Sequence, residues 1–458
     1  KFHMPTAYTI LFLLLILVAA ATWIIPAGSY DYVDGVPVAG TYHAVEQNPQ
    51  GVGDVLKAAF SGFYDAVDVC IFILMVGGFL GVVMKTGAVD AGVANVIRLL
   101  GGREKWLIPI LMLLFGLGGT TYGMWEETMA FYPLLIPVFL AAGYDAVVGI
   151  SVILLGAGAG VIASTVNPFA TGIAAGFAGV SLGEGIVLRL LEWVAFEAAA
   201  IWFVMAYAAR IKRNPSKSVV GVGAGKIQVT MDQQVPFTAK RKVIMAFFTL
   251  TFLIMVYAVV PFDEMGLPLP TLGWWFPELS ALFLAAGVVI GLIDRMGEEE
   301  LVETYVAGCA DLLGVAFIIG ISRGITVLMR DGAITDTILH WGEAALSGAG
   351  AVSFTLLVFV LYLPLTILIP SSSGLATLSI PIVAPLGKFA GVGGDLVVTA
   401  FQSASGLVNI LTPTAAVVMG ALALGHVPYD RWVKYVWKLM LWFLLLALVF
   451  LVAGVLLG

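Results

Sequence analysis

Apolar runs long enough to cross a lipid bilayer recur along this chain, at 5–26, 67–84, 146–164, 187–209, 243–262, 278–293, 305–329 and 432–457. A spanning helix takes about 20 such residues, and so many runs commit the chain to folding in lipid. Composition agrees. Hydrophobic residues are 60% of the 458 and charged residues 11%, where a soluble domain carries roughly 25% charged. The first run reads as a spanning helix rather than a cleaved leader, because further spans follow it. The net charge of −7 and the lack of a basic cluster exclude nucleic acid as a partner. Cys70 and Cys309 both fall in apolar stretches and read as small core residues, not a disulfide.

Two further stretches, 106–143 and 352–391, are too long for one span. Each is interrupted near its middle, by Gly118-Gly119-Thr120-Thr121-Tyr122-Gly123 in one and Pro370-Ser371-Ser372-Ser373-Gly374 in the other. They are expected to be re-entrant hairpins. Proline breaks two more runs: Ser164-Thr165-Val166-Asn167-Pro168 divides 146–180, and Asn409-Ile410-Leu411-Thr412-Pro413 divides 396–425. Irregular backbone at membrane depth survives only where protein or a watery cavity satisfies it. Four such breaks point to a site.

Cytoplasmic loops carry an excess of Lys and Arg. With the amino terminus inside and each hairpin returning to its own side, seventeen of the 22 basic residues fall inside, among them Lys1, Arg98, Arg103, Lys105 and Lys226. Lys57, Arg189, Arg330 and Lys388 fall outside, and Arg323 sits within a span. The polar stretch 27–54 becomes an outer loop, 210–242 a cytoplasmic linker, and the carboxyl terminus lies outside.

The halves on either side of that linker resemble each other. Gly62-Phe63-Tyr64-Asp65 pairs with Gly308-Cys309-Ala310-Asp311, and Met84-Lys85-Thr86-Gly87-Ala88 with Met329-Arg330-Asp331-Gly332-Ala333. Pro133 and Pro137 pair with Pro381 and Pro385, and Asn167-Pro168 falls beside Thr412-Pro413. By the charge count the first hairpin opens inward and the second outward. Inverted repeats of this kind build secondary transporters, with substrate held at the repeat interface near the midplane. The expected domains are 1–209, a first inverted repeat with leading spans (hairpin 106–143, broken helix 146–180); the linker 210–242; and 243–458, a second repeat (hairpin 352–391, broken helix 396–425). A channel and a membrane-embedded enzyme are the rival classes; no P-loop or zinc motif supports an enzyme.

Paired hairpins plus broken helices carrying Ser-x-x-Asn-Pro resemble the ion transporter superfamily of elevator-type carriers. Gly-Met-Trp-Glu-Glu-Thr-Met-Ala-Phe-Tyr-Pro (123–133) and Ser-Thr-Val-Asn-Pro-Phe-Ala-Thr-Gly (164–172) are similar to its YfcC branch, which holds basic amino-acid antiporters and arginine/ornithine exchangers and is related to the anaerobic C4-dicarboxylate carriers. The resemblance covers nearly the whole chain. It implies an all-α integral membrane protein with the elevator fold, a homodimer in a bacterial inner membrane. The transport domain would hold 106–180 and 352–425, and the scaffold the remaining spans. Dicarboxylate carriers of the superfamily usually show Ser-Asn-Thr or Ser-Asn-Pro at both tips. Here the tips are Gly-Gly-Thr-Thr (118–121) and Ser-Ser-Ser-Gly (371–374), a departure from the dicarboxylate pattern.

Glu126 and Glu127 follow the first tip directly, and carboxylates at such depth usually face a cavity or a partner. They suit a cationic group or a proton, or else they brace the hairpin or pair with Arg323. Half-helix amino termini favour a carboxylate, which Ser371, Ser372 and Ser373 at one tip and Thr120 and Thr121 at the other could bind. Oxygens around Ser164, Thr165 and Asn167, and around Asn409 and Thr412, suit sodium as a candidate coupling ion; Asn167, Asn409 and Thr412 also count as substrate ligands. Arg323 either holds a substrate carboxylate or forms a structural ion pair. Glu192 and Glu197 fit a scaffold role or a proton relay equally. Asp65 and Asp311 are expected to cap helices. The amphipathic stretches 88–100 and 333–346 read as interfacial helices, and Trp274 and Trp275 as interfacial anchors. The substrate expected is a basic amino acid, with a C4-dicarboxylate or other small carboxylate as the alternative.

Overall fold

A computed structural model describes residues 7–89, 91, 92, 95, 103–121, 123–181, 183–221, 236–259, 262, 263 and 268–457. Most of the amphipathic stretch 88–100, the linker segment 222–235, Lys1, Arg98 and Lys226 lie outside the described residues. The described chain is almost wholly helical. The spanning runs become α1 (Ala7–Ala21), α3 (Val67–Lys85), α6 (Ala146–Ile162), α8 (Ile186–Arg213), α9 (Ala239–Val259), α10 (Phe276–Asp294), α11 (Glu298–Asp331) and α17 (Tyr429–Leu457). Among the described helices six are long and apolar enough to cross a membrane: α3, α9, α10, α11, α17 and α13 (Ala351–Leu368).

Both expected hairpins are present as chain reversals. The first consists of α4 (Leu107–Thr121), a 3-10 segment (Glu126–Phe131) and α5 (Tyr132–Ala141). A side chain at Gly156 of α6 would meet Met112 of α4, and one at Gly160 would meet Gly116, so α4 and α6 run parallel. A side chain at Gly149 would meet Ile136 of α5 at 3.0 Å, which with the short connection makes α5 antiparallel to α6. The second hairpin is α13 and α14 (Ser372–Phe389) around a break at 369–371. Tyr362 Oη donates to Ser379 Oγ at 2.9 Å, and a Gly387 side chain would meet Phe354 at 3.4 Å, an antiparallel register. Pro168–Gly172 is a single π-helical turn between α6 and α7 (Ile173–Ala178). The second broken helix is α15 (Gly394–Asn409) and α16 (Ala416–Leu424). α6 and α15 cross antiparallel: Gly158 lies against Ile410 and Gly406 against Ile162.

The helices sort into two packed groups. In one, α11 lies along α2 (Val52–Asp65), α3 and α1, and α9 and α10 cover α3. Its central crossing is backbone on backbone, since a Gly77 side chain would meet the Gly308 carbonyl at 2.5 Å and a Gly81 side chain the Gly308 Cα at 2.9 Å. Small residues at helix crossings are how lipid-embedded helices approach closely without a hydrophobic drive. The other group holds both hairpins and both broken helices. α8 and α17 were expected with the remaining spans of a scaffold; instead they pack on α4, α6, α13 and α15. Phe196 of α8 meets Phe443 of α17 edge-on at 4.8 Å in that second group.

Two expectations about the first group are corrected. Asp65 ends α2 rather than starting a helix, and Asp311 is an exposed residue midway along α11. Neither caps an amino terminus. The equivalent segments also differ in continuity: α2 and α3 are separated at Ala66, whereas α11 runs unbroken for 34 residues.

Two short ladders occupy the loop 22–51, Gly28–Ser29 with His43–Ala44 and Tyr32–Val33 with Val36–Pro37. Asp34 and Gly35 turn the second with φ of 51° and 79°, the doubly positive form that matches strand twist. The loop docks on α12 (Thr335–Leu346): the Tyr30 amide donates to Asp336 Oδ2 at 2.9 Å, Tyr30 Oη to Glu343 Oε2 at 2.8 Å, and Tyr42 stacks on His340 at 4.1 Å. On the linker side, Tyr207 Oη donates to Asp145 at 2.5 Å, Lys212 to the Ala142 carbonyl, and Arg431 to the Val219 carbonyl at 3.2 Å.

Candidate functional site

The four breaks meet. Between the two helix groups lies a cavity of about 220 Å³, bordered by Gly123 and Trp125–Glu127 at the first tip, Pro370–Ser373 at the second, Asn167 at one helix break, and Asn409 and Thr414–Ala416 at the other. Asp65, Asp68, Trp275, Phe276, Ser322 and Arg323 close it from the first group. Segments more than 240 residues apart in sequence thus share one wall.

Of the residues singled out from sequence, Glu126, Glu127, Asn167, Asn409, Arg323, Ser371, Ser372 and Ser373 border this cavity. Glu127 is 7% exposed and accepts a bond from the Trp125 amide at 3.1 Å, which fixes its carboxyl beside the tip. Glu126 is less buried. Arg323 makes no ion pair within 4 Å among the described residues, and Glu126 lies within range of its charge. Ser371 caps α14, its hydroxyl accepting from the Gly374 amide at 3.3 Å; the amino end of that half-helix therefore faces the cavity.

The threonines behave otherwise. Thr121 donates to the Leu117 carbonyl of its own helix at 2.6 Å and stands outside the cavity wall. Thr120 is buried and donates to the Ala163 carbonyl at 2.8 Å, while the Thr165 amide donates to the Thr120 carbonyl at 2.8 Å. Those two residues fasten the first tip to the first helix break, so Thr120 and Thr165 are ties beneath the site. Thr412 shares a bond of 2.8 Å with Thr414, and it is Thr414 that reaches the cavity. Ser164 is fully buried and its hydroxyl has no hydrogen-bond partner among the described residues.

Sequence reading missed Asp65 and Asp68 as wall residues, and Gln402, Ser322 and Thr414 altogether. The signal for the first two was present, two carboxylates three apart within the helical stretch 52–85. Trp275, expected as an interfacial anchor, borders the cavity beside Phe276. The wall thus carries four carboxyl groups, Asp65, Asp68, Glu126 and Glu127, and one guanidinium, Arg323. Asp65 stands 3.9 Å from Arg330.

Residues 4–456 match the family model of the C4-dicarboxylate anaerobic carrier, DcuC. The chain is 35% identical to an uncharacterised protein of Haemophilus influenzae, with 99% of this chain and 97% of the relative aligned. It is 30% identical to YfcC of Escherichia coli, which bears the name of a basic amino acid antiporter, over 95% of this chain and 93% of that one. Among solved structures, the YdaH transporter of Alcanivorax borkumensis aligns over 98% of both chains at 16% identity and a TM-score of 0.43. MtrF of Neisseria gonorrhoeae, from a class of antimetabolite efflux pumps, aligns over 98% and 94% at 17% and 0.44. A family match from one end of the chain to the other, joined to the multi-pass helices, makes this a membrane transporter of the C4-dicarboxylate anaerobic carrier (DcuC) family and a homologue of YfcC.

Proposed function

We propose that the chain is a secondary carrier of basic amino acids, working by an elevator form of alternating access, and that the cavity between the hairpin tips is its substrate site. The carrying observation is the wall charge: four carboxyl groups against one arginine. A ligand with two cationic groups and one carboxylate complements that wall. Its carboxylate would lie toward Arg323, Ser371, Ser372 and Ser373, and its cationic groups toward Glu126, Glu127 and Asp68. The name borne by YfcC supports the same class.

The antiparallel crossing of α6 and α15 supports an inverted repeat, with hairpins entering from opposite faces. The first helix group serves as scaffold and dimer surface. The second, including α8 and α17, is the moving body. The amino terminus is cytoplasmic and the carboxyl terminus outside, in a bacterial inner membrane. Oxygen-only donors at the breaks suit a hard cation, and the buried, partnerless Ser164 hydroxyl is the observation that favours sodium near Thr165, Asn167, Asn409 and Thr412. A second reading, a C4-dicarboxylate or other small-carboxylate carrier, draws on the family model and on the Arg323 and Ser371–Ser373 donors.

Counterflow in proteoliposomes tests the choice. Labelled arginine should accumulate against internal arginine or ornithine and not against succinate. Accumulation of labelled succinate alone would give the site to dicarboxylates, and a flux that never saturates would mean a channel.

A further inference from the structure

Away from the cavity, α8 buries two carboxyl groups in the heart of the second helix group, Glu192 at 0% and Glu197 at 2% exposure. Their surroundings differ. Glu192 accepts a bond from Ser403 Oγ of α15 at 2.8 Å and has Arg189, also buried, one turn away. Glu197 has neither: among the described residues both its oxygens lack a hydrogen-bond partner. It projects against α4, where a side chain at Gly116 would meet Oε2 at 2.5 Å and Oε1 at 3.3 Å. The glycine thus leaves a notch that the carboxyl fills.

Among the described residues no charge reaches that notch from the helices around it. α4 and α6 contain no ionisable residue. The ionisable residues of α17 are Tyr429, Asp430, Arg431, Lys434, Tyr435 and Lys438, all in its first third, whereas Phe443 is the residue that packs on Phe196 beside Glu197. Tyr435 is engaged by Ser151. On α15, Asp395 lies by Gly185 at the opposite end of α8, and Lys217 belongs to the 3-10 turn after its last residue. On α8 itself Glu192 and Arg189 lie toward its start, and Tyr207 is bonded to Asp145. An ionised carboxylate taken from water without donors or a counter-charge is among the costliest groups to bury, and inside a membrane such residues mark ion and proton paths.

We propose that Glu197 is a proton-binding site of the moving body: it carries a proton while seated against Gly116, takes that proton from water on one side of the membrane and releases it on the other. No bond other than O–H forms or breaks, and the co-reactant is water at each face. The coupling route is short, because Gly116 lies four residues before Thr120, the tie beneath the first hairpin tip. The inference rests on the carrier reading but not on the choice between basic amino acid and dicarboxylate.

Two measurements on purified protein in liposomes test it. In the infrared difference spectrum between H2O and D2O, the parent should show the C=O stretch of a protonated carboxylic acid, and Glu197→Gln should lose it. In the same liposomes Glu197→Gln should keep substrate counterflow within about twofold of the parent while the several-fold stimulation of uptake by a pH gradient disappears. If the glutamine variant does not insert, Glu197→Asp keeps the acid on a shorter stem and should move the carbonyl band. An unchanged band in either variant overturns the proposal, as does a glutamine variant driven by the pH gradient like the parent. A parent that no pH gradient drives also overturns it. Which substrate exchanges, read separately in the counterflow, decides the carrier's specificity.

Discussion

Thr165 donates both its amide and its hydroxyl to the carbonyl of Thr120, at 2.8 and 2.9 Å. One backbone oxygen thereby holds the first hairpin tip to the break in the neighbouring helix, 45 residues on. Removing a buried hydrogen-bonding hydroxyl costs about 1–3 kcal/mol, so Thr120→Val or Thr165→Val should lower the thermal midpoint in detergent. Thr121, bonded only to its own helix, provides the comparison, and Thr121→Val should stay within about 0.5 kcal/mol. Equal losses at Thr120 and Thr121 would remove the tie from the account.

Backbone contact predicts a steep cost at the crossing of α3 and α11. Gly308→Ala would drive a methyl group into the Gly77 carbonyl, and overpacking of a tight core costs about 1–3 kcal/mol. Gly176 in α7 has nothing within 4 Å of where a side chain would begin. There the alanine should be neutral or stabilising by up to about 1 kcal/mol. Denaturation of the two variants under matched conditions checks both signs.

Charge at the cavity gives a sharper test. Glu127→Gln and Glu126→Gln keep size and most hydrogen bonding while removing charge. If these residues receive a cationic group, arginine binding should weaken by roughly 30- to 1000-fold, or about 2–4 kcal/mol. Ser372→Ala should instead cost about 1 kcal/mol for any carboxylate-bearing ligand. Calorimetric titration with arginine and with succinate separates them, and arginine binding unchanged in both glutamate variants would move the dicarboxylate reading ahead.

Labelling checks the orientation. A cysteine at Ser372 should react with an impermeant maleimide from outside, and one at Thr121 only after the cytoplasmic face is opened. Reaction of both from one face would undo the inverted arrangement.

The loop docked on α12 carries a pH dependence. Burial and the Glu343 and Asp336 carboxylates raise the Tyr30 phenol above its ordinary value, and burial with Asp336 does the same to Tyr32. A group whose folded value is raised holds its proton more tightly in the folded state. Its contribution is therefore complete below the unfolded value of about 10 and is lost as pH rises beyond it. Stability of the parent should fall above that pH, and Tyr30→Phe with Tyr32→Phe should flatten the fall.

The spans were legible because length and apolarity are properties of a run. The span expected at 67–84 is Val67–Lys85 and that at 278–293 is Phe276–Asp294. The hairpins were legible because small and polar residues interrupt runs too long for one crossing. What stayed hidden depended on partners elsewhere in the chain. Ala66 divides two helices with neither proline nor glycine to announce it, so Asp65 read as a helix cap and Asp68 was passed over. Nothing local distinguishes Thr120, which bonds across to Ala163, from Thr121, which bonds back to Leu117. The place of α8 with the hairpins follows from its faces against α4, α6 and α15, which no run length encodes.

The glycine crossing of α3 and α11 also determines where the molecule can shear. Gly77, Gly81 and Gly308 mesh main chain to main chain, so sliding along that seam would push side chains through carbonyls. It behaves as a weld. Facing it, Gly420 of α16 rests on the thioether of Met129 and on Val315 of α11, with Ser322 Oγ donating to the Thr414 carbonyl at 2.7 Å and Thr326 Oγ1 to the Leu368 carbonyl at 3.4 Å. A thioether is unbranched, polarizable and tolerant of repacking. Under the proposed elevator movement, the contact of Met129, Val315 and Gly420 would be the sliding surface, and substitutions there should alter the speed of turnover more than the grip on substrate.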